Sequence, residues 1–304
     1  MLSNSSFLSG GTVLHGGGAD IHERGIVYGL NSLPEKSDGY IISGNGSGEF
    51  EAILTGLSPD EGYYYRAYVQ NDGGISYGPQ KYVYLNSYYG TSVTDIDGNM
   101  YQTVIIGDQE WMKKNLQVTT YNDGNLIENV TVSQEWRDNV NGAYCYYDND
   151  SANYAADYGC LYNWYAIEDG NLCPSGWHVP TDEEWKQLEI YLGMSRAQAD
   201  STGNRGNDEG AQIKEVGTTY WEDPFGTNAS GFSARGGSLR NYYGNFGIFL
   251  EPDILGILWS GYWWTSTQED TESAWFRSTD AESTKILREY KDKRWGMSVR
   301  CLKD

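Results

Sequence analysis

Side chains able to do covalent or metal chemistry are sparse in this 304-residue chain, which has four cysteines and three histidines. Cys145, Cys160, Cys173 and Cys301 include no pair at C-x2-C spacing, and His15, His22 and His178 are scattered. A zinc cluster is therefore not expected. An even cysteine count in an acidic, aromatic chain points to two disulfides in an oxidising compartment, with three connectivities open and four buried thiols as the alternative. His178 is the most tempting catalytic histidine, but no Ser, Cys or Asp partner can be placed beside it, so a packing or hydrogen-bonding role is expected. Asp95-Ile96-Asp97-Gly98-Asn99 superficially resembles a calcium loop. An EF-hand loop needs Gly sixth and Glu twelfth, whereas Gly98 is fourth and Ile106 twelfth, so a turn between two strands is the expectation. No paired-carboxylate or nucleophile–base motif stands out, and catalysis is not expected.

Binding chemistry is better represented. The chain has 26 Tyr, 11 Trp and 38 Gly, a composition suited to loop-rich extracellular binding domains. Forty-two acidic against 21 basic residues give a formal charge of −21, which argues against nucleic-acid or anionic-membrane partners. No run of about 18–20 apolar residues that could span a bilayer occurs. No signal peptide is evident either, and the first domain makes that uninformative.

That domain, residues 1–87, reads as strands at Phe7–Leu14, Arg24–Leu30, Gly48–Leu54, Tyr63–Gln70 and Gln80–Leu85, broken by Gly-, Asn- and Asp-rich turns. Leu57-Ser58-Pro59 followed by Tyr63-Tyr64-Tyr65-Arg66-Ala67-Tyr68 resembles the late-strand entry of fibronectin type III domains. The resemblance implies a small all-β sandwich in which Tyr63 bonds back to upstream backbone, with Tyr65, Ala67 and Val69 on the same inward face. Only Met1–Ser6 precedes Phe7, so the sandwich is expected to lack its first strand. The chain then reads as the C-terminal part of a longer exported polypeptide, with its export signal upstream.

Asn86–Gly90 link this domain to a second, residues 92–304, which carries every Cys and every Trp. Thr181-Asp182-Glu183-Glu184 forms a capping box ahead of a helix with Trp185, Leu188 and Leu192 on one face and Gly193 past its end. A second helix is expected over Leu161–Glu168 and a short one over Ala211–Val216. Ala197–Asp223 reads as a variable insertion. Phe232–Gly237, Tyr262–Thr267, Ala274–Ser278, Ile286–Tyr290 and Gly296–Cys301 read as short strands.

Ordered blocks run through this domain: Gly107-Asp108-Gln109-Glu110-Trp111-Met112, Leu161-Tyr162-Asn163-Trp164-Tyr165-Ala166, Cys173-Pro174-Ser175-Gly176-Trp177-His178-Val179-Pro180-Thr181, Gly261-Tyr262-Trp263-Trp264-Thr265-Ser266-Thr267 and Ser298-Val299-Arg300-Cys301. Together they resemble the Fibrobacter succinogenes major paralogous domain of exported Bacteroidetes and Fibrobacter proteins. The resemblance implies an α+β fold, a C-type lectin-like domain with short helices and twisted antiparallel strands. It also implies a Cys173–Cys301 bridge and, with it, a Cys145–Cys160 bridge across a Tyr-rich loop.

In lectin-like folds the segments before the last strand form the binding face. Here they carry Tyr242, Tyr243, Asn245, Phe246, Phe249, Trp259, Trp263, Trp275, Arg277, Tyr290 and Trp295, with Glu269, Asp270 and Glu272. Aromatic faces stack on sugar rings, carboxylates and Arg bond hydroxyls, and the same residue types dominate protein hot spots. Trp264 belongs to the framework and is expected in the core. The expected function is a non-catalytic, cell-surface or secreted module for adhesion to a glycan or protein. Alternatives are a phage receptor-binding or retroelement-diversified variable protein, a structural or pilus-tip subunit, and a formylglycine-generating-enzyme-like catalyst suggested by Ala234-Arg235-Gly236-Gly237-Ser238. No cofactor is expected beyond a structural calcium recruited by the acids. Glu251-Pro252-Asp253 resembles a lectin calcium tripeptide, but no Trp-Asn-Asp follows it.

Overall fold

The computed structural model describes residues 6–58, 61–85, 89–168, 170–222, 225–250 and 253–304. Met1–Ser5, Pro59, Asn86–Tyr88 and the Glu251-Pro252 pair of the calcium tripeptide lie outside those residues. The chain divides into two compact units, residues 1–91 and 92–304. No helix among the described residues is long and apolar enough to cross a membrane.

The first unit holds β1 (Phe7–Val13), β2 (Glu23–Gly29), β3 (Tyr40–Ile42), β4 (Gly48–Leu54), β5 (Glu61–Asn71), β6 (Gly74–Tyr77) and β7 (Lys81–Leu85). β1 pairs with β4, while a second sheet runs β3-β2-β5-β6 with β7 on the first half of β5. Strict alternation in β4 points Phe50, Ala52 and Leu54 inward and Glu49 and Glu51 outward. Facing them are Tyr63, Tyr65, Ala67 and Val69 of β5. The Tyr63 hydroxyl accepts the Ser58 amide at 3.0 Å, the upstream bond expected for that ring.

The second unit is mixed α+β, mostly short strands with few helices. It opens within β8 (Tyr89–Thr94), which straddles the division at residues 91 and 92, and goes on through β9 (Met100–Ile106), β10 (Gln109–Met112), β11 (Glu128–Asn129), α1 (Ser133–Asp138) and β12 (Ala143–Cys145). There follow α2 (Ser151–Tyr158), β13 (Leu161–Tyr162), β14 (Trp177–His178), α3 (Asp182–Leu192), α4 (Arg196–Asp200), β15 (Gly203–Arg205) and α5 (Glu209–Ile213). The last elements are β16 (Ile248–Leu250), β17 (Asp253–Leu255), β18 (Ser260–Gln268), β19 (Ser273–Asp280), β20 (Ile286–Asp292) and β21 (Leu302–Lys303). One sheet runs β14-β21-β10-β9-β8 and another β15-β20-β19-β18.

Neighbouring residues of β18 enter different cores. Trp263 joins Trp111, Trp185, Trp221 and Phe232, while Trp264 joins Tyr162, Phe276 and Val299. The Thr181 capping box forms as expected, and α3 buries Trp185 and Leu188. Cys173 and Cys301 are bridged across 128 residues, tying the approach to β14 to the residue before β21. In the chain-entropy account a closure of that length contributes about 5 kcal/mol, the top of the range that disulfides deliver.

Several expectations are corrected. Leu161–Glu168 is not a helix: Leu161 and Tyr162 pair with β12, and a single 3-10 turn spans Trp164–Ala166. The Asn163 side chain directs this by accepting the Ala143 amide at 2.9 Å and the Ala166 amide at 3.2 Å. Residues 232–237 and 296–301 make isolated bridges rather than strands. Ala197–Asp223, expected as a variable insertion between framework elements, sends Arg205, Ile213 and Trp221 into the buried interior.

The second expected bridge is absent, since Cys145 and Cys160 are free and buried. Cys145 stands opposite Leu161 across the β12–β13 pair, so Cys160, one residue earlier, points to the other face. Cys145 packs with Val130, Trp136 and Leu161, whereas Cys160 packs with Tyr101, Tyr144 and Tyr162. Burial pushes the Cys145 thiol up to about 12, against the opposing pull of Arg240, and burial also raises Cys160. At pH 8 the folded chain is therefore expected to resist maleimide and to expose two reactive thiols on unfolding without reductant. Labelling of either thiol in the folded state would contradict the placement.

Candidate functional site

The expected binding residues fall into three environments. The first is a surface platform built on Arg240. This guanidinium is buried between Trp136 and Phe246, 4.6 and 4.9 Å from their ring centres. It donates to the carbonyls of Gly244 at 3.0 Å, Val130 at 2.5 Å and Thr131 at 2.9 Å. The Gly244 bond closes the turn that follows Arg240, and the Asn241 side chain stiffens it by accepting the amides of Tyr243 and Asn245 at 3.0 and 3.1 Å. Gly244 lies at φ +86°, where a Cβ would come within 2.5 Å of the Ser133 Cα.

The backbone of Arg240 also pairs in both directions with Gly296, at 2.9 and 2.7 Å. A Cβ on Gly296 would meet the Trp136 ring at 2.8 Å, so the close approach requires glycine. This pairing sets Trp295 beside the turn. Tyr242 and Tyr243 have ring centres 3.8 Å apart, and Trp295 lies 6.3 Å from Tyr242. Tyr243 is 53% exposed, and Tyr242 and Trp295 are half-buried. Arg294 lies 5.5 Å from the Tyr242 ring centre and Lys291 5.6 Å from that of Trp295. Asp292 grips Arg294 by two bonds at 2.9 and 2.5 Å, and Asn245 is exposed on the same turn. An aromatic surface with a cation, a carboxylate and an amide at its margin can stack on a ring and bond its hydroxyls.

The second environment is a cross-strand pair. Trp275 and Tyr290 face each other across β19 and β20 with ring centres 5.3 Å apart. Trp275 is buried beneath the Arg288 guanidinium at 3.7 Å, and only Tyr290, 43% exposed, offers surface.

The third environment corrects two assignments. Trp263 and Arg277 are 1% and 0% exposed and cannot meet a ligand. They are register partners on the face covered by α3. The Trp263 indole donates to Asn115 at 2.9 Å. Arg277 bridges Glu189 at 2.6 Å and Asp182 at 2.8 Å. Arg205 pairs twice with Glu189, and Arg288 pairs twice with Asp182.

The remaining candidates stand apart from these. Trp259 is half-buried before β18, its carbonyl accepting the Ala281 amide. Glu269, Asp270 and Glu272 are exposed in the β18–β19 turn. Phe246 is partly buried under Arg240, and Phe249 contributes backbone to β16. Among the described residues no group of three or more His, Cys, Asp or Glu side chains is placed to hold a metal ion.

His178 makes the expected hydrogen bonds, to Asp304 at 2.7 Å and Glu184 at 3.0 Å. Burial lowers its pKa, but the two carboxylates outweigh that and raise it above 6.5. A raised folded pKa stabilises fully below the unfolded value and loses that stability as pH rises through the folded value. Thermal stability is thus expected to fall as pH rises from 6.5, and His178→Gln to flatten that slope. An unchanged slope in the variant would contradict the pairing.

The profile of the Fibrobacter succinogenes major domain matches residues 104–303. The chain belongs to this family. No curated protein and no solved structure matches the chain. The Fibrobacter major domain thus encompasses the bridge, the α3 ion pairs and the platform alike. Sequence reasoning did not single out Arg240, Lys291 and Arg294. Their signal is cations interleaved with aromatic residues in Arg240-Asn241-Tyr242-Tyr243 and Lys291-Asp292-Lys293-Arg294-Trp295.

Proposed function

We propose that this Fibrobacter major domain is a non-catalytic ligand-binding or adhesion module of an exported protein, with Tyr242, Tyr243 and Trp295 as its contact surface. The observation that carries the reading is the platform itself. Three aromatic side chains share one surface, and two of them ride on a turn bolted to a buried arginine. Surface rings held by such support lose little entropy on binding, which favours a recognition role over incidental exposure. The ligand class is a glycan or a protein presented outside the cell. In this reading the second unit has a C-type lectin-like fold and the first is a fibronectin type III-like spacer. The Cys173–Cys301 cystine supports an oxidising compartment. It also leaves Cys301 without the free thiol that formylglycine-type chemistry requires.

The reading is tested by probing glycan and protein arrays with the intact chain, with and without calcium. Saturable retention of a glycan or a surface protein is expected. Retention of nothing on either array would remove the proposal.

A further inference from the structure

A cleft of about 460 Å³ lies elsewhere in the second unit, among Gln102 of β9, Lys113 and Lys114 after β10, and Glu215, Ser233 and Arg235. Its charged lining is three cations and one carboxylate, in a chain whose formal charge is −21. Such a concentration of positive charge runs against the composition. Arg235 is fixed there by Glu215 at 2.7 Å and Asp157 at 2.9 Å, and lies flat on Tyr220 at 3.6 Å.

Behind the lining is Arg300, fully buried. Its guanidinium donates to Asn115 Oδ1 at 3.2 Å and to the carbonyls of Ser233 at 3.0 Å and Phe232. All three acceptors are neutral, and among the described residues no carboxylate forms an ion pair with it. Burial and Arg235 bring Arg300 down to about 9, with Glu215 opposing. Burial likewise lowers Lys113, against Glu215 and reinforced by Arg300, so these groups share one field. A buried cation without a counter-charge is costly, and an anion in the adjoining cleft would relieve that cost for Arg300. Ser233 meets the cleft at φ +55°, held there by the Asn228 side chain, which accepts its amide at 2.9 Å.

We propose that this cleft binds a small organic oxyanion, its charged group between Lys113, Lys114 and Arg235 and its polar remainder against Gln102 and Ser233. The volume suits a monosaccharide-sized molecule. Carboxylate and sulfate ester share the chemistry that these cations recognise. The cleft shares no lining residue with the aromatic platform.

The test is calorimetry of the full chain with galacturonate, galactose 6-sulfate and galactose. One or both charged sugars are expected to bind saturably, galactose not at all, and about 0.5 M salt to weaken the binding. Lys114 is exposed, so Lys114→Gln should keep the melting temperature and lose about tenfold in affinity, with Lys113→Gln as the second variant. Trp295→Ala should leave this affinity unchanged. The proposal is overturned if neither charged sugar binds at millimolar concentration or if galactose binds as well as they do. Unchanged affinity in both lysine variants, or loss of binding in Trp295→Ala, which would put the sugar on the platform, overturns it equally.

Discussion

Glu189→Ala is expected to destabilise the second unit by about 3–5 kcal/mol, the cost of breaking a buried ion pair from one side. Glu189 is fully buried on α3, and its two oxygens hold Arg205 and Arg277 at 2.6–2.8 Å. Removing it leaves two guanidinium groups desolvated, with only Asp182 remaining as a carboxylate for Arg277. The pairs also dock α3 on β19 and anchor β15, so the loss is cooperative rather than local. Urea unfolding followed by tryptophan fluorescence measures it, and a change below about 1 kcal/mol would contradict the account.

Acid should expose the same network. Asp182 is desolvated, which alone would raise its pKa, but Arg288 and Arg277 hold it well below the ordinary carboxylate range. A depressed folded pKa gives stability that is present above the unfolded value and lost as pH falls through the folded one. The second unit should therefore keep this contribution at mildly acidic pH and lose it only in strong acid.

The second large effect concerns binding. Tyr243→Ala and Trp295→Ala are each expected to weaken the array ligand by about 30-fold, equivalent to about 2 kcal/mol for a hot-spot aromatic. Tyr243 is more than half exposed, so its loss should leave the melting temperature unchanged. Trp295 packs partly on the core and should cost modestly. Trp263→Ala is the contrasting control, because a buried Trp removed from the core destabilises by about 3–5 kcal/mol. If Tyr243→Ala unfolds the chain, or both platform variants bind as wild type, the contact surface is misplaced.

Local signals in the sequence survive folding well. The capping box at Thr181, the inward Tyr63 face and the Asp95–Asn99 turn depend on neighbours a few residues away, and each forms as its chemistry dictates. The platform was half legible: Tyr242, Tyr243 and Trp295 announce themselves by type, but the Arg240–Gly296 pairing that unites them is long-range. Exposure was the least legible property. Period-two reasoning assigns Trp263 and Trp264 to opposite faces, but both faces of β18 are covered, so alternation identifies no outward side. Arg277 reads as a surface cation because its partners Glu189 and Asp182 lie 88 and 95 residues away. The Cys145–Cys160 bridge was implied only as the remainder once the resemblance paired Cys173 with Cys301, and that says nothing about which face of β12–β13 each thiol takes. Leu161, Trp164 and Tyr165 recur at helical spacing, and the pairing of Leu161 and Tyr162 with β12 overrides it.

Side-chain oxidative footprinting of the intact chain, with and without its strongest-binding array ligand, tests the central claim most directly. Protection concentrated on Tyr242, Tyr243 and Trp295, with Tyr290 and Trp259 unchanged, is the predicted pattern. Ligand-dependent protection that leaves those three rings as reactive as in the free protein would contradict it.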